Sequence, residues 1–187
     1  MARLPDEVAA EWQRVDEDNT RWLGDLLTTR GWPGRTMAGE DGAQAAWLLA
    51  QHADRAPALQ RAFLDAVRGA VGQGEASPAH LAYLEDRVRV HAGQPQLYGT
   101  QFTVTSDTFG PYPIEDPQRL DERRAAAGLE PFAVYEARMR ADSYPGSISP
   151  MRTRAHQRKA FLSRCVAGAL LRRCPCIAVM GMVPGSV

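Results

Sequence analysis

Cysteine is missing from the first 164 positions of this 187-residue chain, because Cys165, Cys174 and Cys176 all lie near the C-terminus. A disulfide framework therefore cannot stabilise the N-terminal part. Thiol nucleophiles are excluded there too, and no serine lies in a recognised nucleophile elbow, so covalent catalysis is not expected. The Cys-x-Cys spacing, accompanied only by His156, lacks the second ligand pair of a standard zinc finger, so we predict no metal and no cofactor.

Long apolar runs are also absent. No stretch reaches the roughly 20 residues that a membrane-spanning helix needs. The first residues contain no basic region followed by an apolar core, so they do not resemble a signal peptide. We therefore expect a cytoplasmic protein without a transmembrane segment.

The chain has no net charge, with 22 basic and 22 acidic residues, but the charges are unevenly distributed. Residues 141–187 carry seven basic residues and one acidic residue, which leaves a net charge of −6 on the first 140 residues. An acidic domain does not favour nucleic acid as a partner. Lysine occurs once, whereas alanine and arginine are frequent, a composition typical of GC-rich bacterial genomes.

Two regions are predicted. Residues 1–142 show helical periodicity interrupted by one strand-like segment, and residues 143–150 are rich in serine, proline and glycine, as linkers are. We interpret residues 1–142 as a helical domain with a hairpin. Residues 143–187 are interpreted as a basic, cysteine-containing C-terminal extension that is poorly ordered.

Apolar spacing and the positions of proline and glycine predict about six helices. The first runs from Asp6 to about Arg30, with a core stripe that includes Trp22. The others begin near residues 43, 57, 78, 117 and 131. The predicted fold is mainly α, an orthogonal bundle of about six helices with one two-stranded antiparallel hairpin.

The helix that begins at Ser77-Pro78 is predicted to be covered over more than half of its circumference. Ser77 is expected to cap it, and Ala82 is expected on the open arc. Asp86 and Arg87 fall inside or at the edge of the covered part. Charged residues are rarely buried unless they are paired, so both require partners or a polar cavity.

Residues 97–105 are rich in aromatic and β-branched residues and predict a strand, which would return through residues 111–114 as an edge strand. Successive side chains of a strand point to opposite faces. Tyr98 and Gln101 therefore reach one pocket only if Gly99 bulges the strand.

His52 shares a helix face with apolar residues near a helix C-terminus, where the dipole favours an imidazolium. A histidine bonded to a backbone carbonyl and a functional acid–base histidine are equally compatible with this position. Asp54 is interpreted first as an N-cap of the next helix and second as a site residue. Arg123 and Arg124 fit a solvated face better than an anion clamp, although both alternatives stay open.

The combination of these segments resembles an uncharacterised bacterial family, a domain of unknown function. The resemblance covers roughly residues 5–140 and rests on five short segments: residues 46–54, 81–88, 96–101, 113–117 and 123–128. It implies that His52, Asp86, Arg87, Tyr98 and Gln101 belong to one recurrent constellation. It implies no activity.

Two functional hypotheses follow. In the first, the chain has a polar pocket for a small anionic metabolite, as a non-covalent acid–base enzyme or a binder. The predicted catalytic residues are His52, Asp86 and Tyr98, with Arg87, Gln101, Arg123 and Arg124 binding the ligand. Asp86 would orient His52 or pair with Arg87. In the second, the same residues form a buried structural network in a protein-interaction module.

Overall fold

The computed structural model describes residues 6–104 and 109–143. Within these ranges the chain forms six α-helices, one short 3₁₀ helix and a two-stranded antiparallel sheet, so the predicted mainly α fold with a small hairpin is confirmed. The helices are α1 (Asp6–Arg30), α2 (Arg35–Gln51), α3 (Pro57–Gly72), α4 (Pro78–His91), α5 (Leu120–Ala126) and α6 (Phe132–Ser143). The strands are β1 (Phe102–Val104) and β2 (Phe109–Pro111), and the 3₁₀ helix is Pro117–Arg119. The predicted basic extension and its cysteines, from residue 144 onward, lie outside the described residues.

The core lies between α1, α2, α3 and α4. Helix α1 contributes Leu23, which is fully buried, whereas Trp22 is 41% exposed. The prediction that Trp22 faces the core is therefore wrong. Its neighbour Leu23 faces the core instead, and Thr20, Leu23 and Gly24 form the buried face of α1. The remaining buried core residues are Ala46, Leu49, Ala50, Ala53, Phe63, Leu64, Val67 and Leu84.

Helix α2 begins at Arg35, eight residues before the predicted start, and bends at Gly39, whose φ is +71°. Glu75, from the turn before α4, stabilises this early start. Its carboxylate accepts hydrogen bonds from the Thr36 N–H at 2.7 Å and the Thr36 hydroxyl at 2.5 Å. A carboxylate 39 residues away acts as the cap, and short-range sequence signals do not contain that information.

Helix α4 is covered on every side. Ala82, Leu84 and Asp86 are all buried, so the prediction of an open arc at Ala82 is wrong, whereas burial of Asp86 is as predicted. Ser77 occupies the N-cap position, but its side chain makes no capping hydrogen bond. The helix ends before Gly93, whose φ is +71°, as expected for a left-handed terminator.

Residues 97–101 form a loop, and the strand begins only at Phe102. The strand prediction was wrong here because the Asp86 carboxylate, fully buried, accepts the N–H groups that a β-ladder would use. Leu97 N–H lies at 2.7 Å and Tyr98 N–H at 3.0 Å from Oδ1. The N–H and the hydroxyl of Thr100 each lie at 2.9 Å from Oδ2.

Glycine is required at position 99 inside this loop. Its φ is +66°, and a Cβ built there would lie 2.7 Å from the Phe132 ring. The chain then continues into the short hairpin, in which Phe102 pairs with Pro111 and Val104 with Phe109. Gln96 adds a parallel bridge to Ile114, and its side-chain oxygen accepts the Gln101 N–H at 2.9 Å, so Gln96 connects the two ends of the loop.

We predict that Asp86→Asn destabilises the domain by about 3 kcal/mol, because the new amide presents an N–H₂ group to main-chain donors at a fully buried position. Thermal unfolding should show a melting temperature lower by about 10 °C. The matched control is Asp65→Asn, at an exposed acid paired with Arg68, where a change of less than about 1 kcal/mol is expected. Equal effects of the two substitutions would contradict this role of Asp86.

The stacked ring pair Trp47–His80 predicts a pH dependence of stability. The ring centroids are 4.0 Å apart, and burial, assisted by the charge of Arg35, lowers the pKa of His80 to about 4. The unfolded chain thus binds this proton at higher pH than the folded chain. The stability from the neutral ring is therefore complete above about pH 6.5 and is lost as the pH falls toward 4.

In urea unfolding, we expect His80→Phe to reduce the loss of unfolding free energy between pH 7 and 4 by about 1–2 kcal/mol. This free-energy difference is smaller than the whole pKa shift of His80 would give, because the ring is partly exposed to solvent. His52 is present in both proteins, so the difference reports on His80. Parallel pH profiles for the two proteins would contradict the prediction.

Candidate functional site

The turn between α2 and α3 places two candidate site residues, His52 and Asp54, close together in the chain. The His52 N–H ends α2 by donating to the carbonyls of Leu48 at 3.1 Å and Leu49 at 3.2 Å. Ala53 is buried in the core, so His52 and Asp54 lie on either side of an anchored residue. Neither side chain is fully buried.

His52 and Asp54 open onto a cleft of about 540 Å³ between α1 and the start of α3. That volume suits a small metabolite. The cleft is lined by Asp16, Glu17, Thr20 and Arg21 of α1, by His52, Asp54, Arg55 and Ala56 of the turn, and by Leu59 of α3.

Burial lowers the pKa of His52 below its usual value, and the positive charge of Arg87 lowers it further. The carboxylates of Asp54 and Asp16 oppose this shift without reversing it. The imidazole is therefore neutral at pH 7, because burial and the charge of Arg87 act against the imidazolium that a helix C-terminus favours. A neutral imidazole facing a cleft can accept a proton.

Asp54 forms a two-pronged ion pair with Arg87 of α4. Arg87 Nε donates to Oδ1 at 2.8 Å, and Nη2 donates to Oδ2. Gln60 donates to the same carboxylate at 3.0 Å, and His91 Nδ1 lies 3.5 Å away. The N-cap interpretation of Asp54 is wrong, because Ala56 occupies the N-cap of α3.

Burial alone would raise the pKa of Asp54, but the hydrogen bond and charge of Arg87, with help from Gln60 and His91, hold it below its usual value. Asp54 is thus ionised at neutral pH and compensates the charge of Arg87. The expected pairing of Arg87 with Asp86 is replaced by this pair, since the hydrogen bonds of Asp86 go to the loop at residues 97–100.

Gln101 links the ion pair to the Asp86 loop. Arg87 Nη1 lies 3.5 Å from Gln101 Oε1, and Gln101 Nε2 donates to the Thr100 hydroxyl at 3.1 Å. That hydroxyl in turn donates to Asp86 at 2.9 Å. A continuous polar chain therefore runs from the turn at Asp54 to the buried carboxylate.

Asp86 and Tyr98 lie in this network and do not line the cleft. Burial raises the pKa of Asp86, although the donors at Thr100, Tyr98 and Leu97 act in the opposite direction. The Tyr98 N–H binds Asp86, and its carbonyl accepts a hydrogen bond from Arg124. Both residues therefore hold the loop in the described structure.

Arg123 and Arg124 bind main-chain carbonyl groups. Arg123 Nε donates to the Leu97 carbonyl at 2.8 Å. Arg124, only 1% exposed, donates to the carbonyls of Glu130 and Tyr98, and burial lowers its pKa. The solvated-face interpretation is wrong for Arg124, which is buried, whereas Arg123 is partly exposed and binds main-chain carbonyls at the surface.

Sequence reasoning missed the contribution of α1. Asp16 and Thr20 lie one helical turn apart and face the cleft, but their spacing resembles any exposed helix face. The buried side chain of Gln60, which holds Asp54, was also missed. Among residues 6–104 and 109–143, no group of three His, Cys, Asp or Glu side chains is arranged to hold a metal ion.

In the same described ranges, no helix has both the length and the apolar character needed to cross a membrane. Neither a curated protein nor a solved structure shows detectable similarity to the chain. The model of one protein family, described as a family of unknown function (DUF6624), matches residues 2–148. That match spans most of the sequence, and the chain therefore belongs to the DUF6624 family.

Proposed function

We propose that the cleft binds a small metabolite with an anionic group and that His52 acts there as a proton acceptor and donor. The observation that carries this proposal is the neutral His52 imidazole beside ionised Asp54 on the wall of a 540 Å³ cleft. Neutral imidazole is the form that a general base requires.

The surrounding charges suit such a role. When His52 takes up a proton, the carboxylates of Asp54 and Asp16 stabilise the imidazolium. Asp54 is held in place by Arg87 and Gln60, so its charge remains fixed during the proton transfer. Preorganised charge of this kind avoids reorganisation during the reaction.

Arg21 and Arg55 are the arginines that line the cleft, and we assign the anionic group of the ligand to them. Arg21 pairs with the exposed Asp18, and Arg55 lies 3.7 Å from Glu17. Exposed ion pairs of this type are weak, so a ligand can replace them at low cost. Arg87 is less suited to clamp an anion, because Asp54 already binds its guanidinium on two sides.

The second candidate is an interaction module in which the polar residues serve structure alone. The mutual pairing of Asp86, Tyr98, Gln101, Arg123 and Arg124 with each other and with the main chain favours this role for those five residues. It does not explain the cleft at His52. The two candidates therefore differ in whether a small molecule binds at α1 and the α2–α3 turn.

A double-mutant cycle of Arg87→Met and Asp54→Asn tests the ion pair. We expect Arg87→Met to cost about 1–3 kcal/mol, because it leaves a half-buried carboxylate unpaired, and the double variant to recover part of this loss. The depressed pKa of Asp54 means that the pair stabilises the fold above about pH 4 and loses this effect as the pH falls through the folded-state pKa. Additive effects at pH 7 would contradict a direct pair.

A metabolite screen by thermal shift tests the function. Ligands that raise the melting temperature of the wild type should lose most of this effect in His52→Gln and in Arg21→Gln/Arg55→Gln. The matched control is Arg61→Gln, at an exposed arginine of α3 that does not line the cleft. Ligands that stabilise the wild type and all three variants equally would place the binding site elsewhere and refute the proposal.

If a reaction is found, its rate should decrease as the pH falls through the lowered pKa of His52, below 6.5, because protonation removes the base. A kcat/KM profile from pH 4.5 to 8 measures this. Retention of full activity in His52→Gln would exclude His52 as the base.

A further inference from the structure

We infer that the ligand of the cleft is a zwitterion whose ammonium group lies between Asp16, Thr20 and His52 and whose anionic group faces Arg21 and Arg55. This inference rests on the proposed function and specifies its substrate class, an amino acid or a similar aminocarboxylate. The support comes from two polar side chains of α1 that line the cleft.

Thr20 is the first of these side chains. It is only 7% exposed and lines the cleft. Elsewhere on α1, the hydroxyls of Thr28 and Thr29 donate to the carbonyls one turn earlier, at 2.9 Å and 2.8 Å. Within the described part of the chain, no corresponding hydrogen bond engages the Thr20 hydroxyl. The Thr20 hydroxyl is not among the fully enclosed, unpaired polar atoms of the described residues, so it is accessible from the cleft and can bond a ligand there.

Asp16 is the second, one helical turn before Thr20. The neighbouring acids Glu11, Glu17 and Asp18 each lie within ion-pair distance of an arginine. Asp16 is partly buried and, among the residues that the structure describes, has no such arginine partner. Its charge acts on His52 across the cleft wall. A partly buried carboxylate that no arginine neutralises favours a cationic ligand group.

The three side chains together match an ammonium group. An ammonium group has three donors and no acceptor, whereas a carboxylate, a hydroxyl and a neutral imidazole nitrogen can all accept. A metal ion is a poorer match, because the described residues contain no group of three metal-ligating side chains. Arg21 and Arg55, which also line the cleft, carry the charge opposite to that of Asp16. A ligand with an ammonium group and an anionic group can therefore bind the acid and the arginines at the same time.

Three probes with the same four-carbon chain separate these contributions: 4-aminobutyrate, n-butylammonium and butyrate. Each is titrated into the full-length protein at up to about 10 mM, since ligands of this size bind weakly. Two-dimensional NMR follows the amide signals of residues 16–21 and the ring signals of His52. We expect 4-aminobutyrate to bind most tightly, and both amine-containing probes to shift the signals of Asp16, Thr20 and His52.

Substitutions then test the ammonium contacts. Asp16→Asn should weaken 4-aminobutyrate about tenfold, since a charge-assisted hydrogen bond is lost, and Thr20→Val about threefold. The control is Asp25→Asn, at an exposed acid of α1 outside the cleft, which should bind as the wild type does. Thr20→Val should also preserve or raise the melting temperature, because no protein group among the described residues bonds the hydroxyl.

The outcomes distinguish the inference from the proposed function. Butyrate that binds as tightly as 4-aminobutyrate, and equally well to Asp16→Asn, overturns the ammonium site but leaves an anion-binding cleft intact. Absence of any shift at residues 16–21 and His52 with all three probes overturns the zwitterion inference. The proposed function falls separately, if the hits of the metabolite screen do not depend on His52. A large loss of stability in Thr20→Val would show a structural role for the hydroxyl.

Discussion

The buried carboxylate of Asp86 is the interaction on which the polar half of the molecule depends. It accepts the main-chain N–H groups of Leu97, Tyr98 and Thr100, and so it replaces the ladder that this segment would otherwise need. Because these N–H groups point inward, the carbonyls of the same loop are free to accept hydrogen bonds from arginines of α5. One charge on α4 thereby organises the loop, the start of the hairpin and the attachment of the C-terminal helices.

The next residue on α4 has a different task. Arg87 reaches the α2–α3 turn and binds Asp54, while Gln101 and Thr100 connect it back to Asp86. The burial of His52 and, second to it, the positive charge of Arg87 keep the imidazole neutral by lowering its pKa, and the two nearby acids moderate this effect. The same network that stabilises the loop thus also contributes to the protonation state of His52 at the cleft.

The helices were predictable where local signals act. Proline at positions 57 and 78 and glycine at position 93 mark helix boundaries within one or two residues of those observed. The failures occur where a distant partner decides. The early start of α2 depends on Glu75, and residues 97–101 leave the strand conformation because Asp86 takes their N–H groups. For the candidate site, sequence reasoning selected His52 and Arg87 but missed Asp16, Thr20 and Gln60, whose helical spacing does not distinguish them from ordinary exposed or core positions.

By itself, the sequence determined the mainly α class and several helix boundaries, because these follow from apolar periodicity and from the backbone sterics of proline and glycine. It also determined that Asp86 and Arg87 need partners, because burying an unpaired charge is costly. Only the tertiary structure decided which partners they have. Asp54 and Arg87 are 33 residues apart, and Arg124 and Tyr98 are 26 apart. Hydrogen bonds and ion pairs act over a few ångströms in space, so the choice among chemically equivalent acceptors is made when the helices pack.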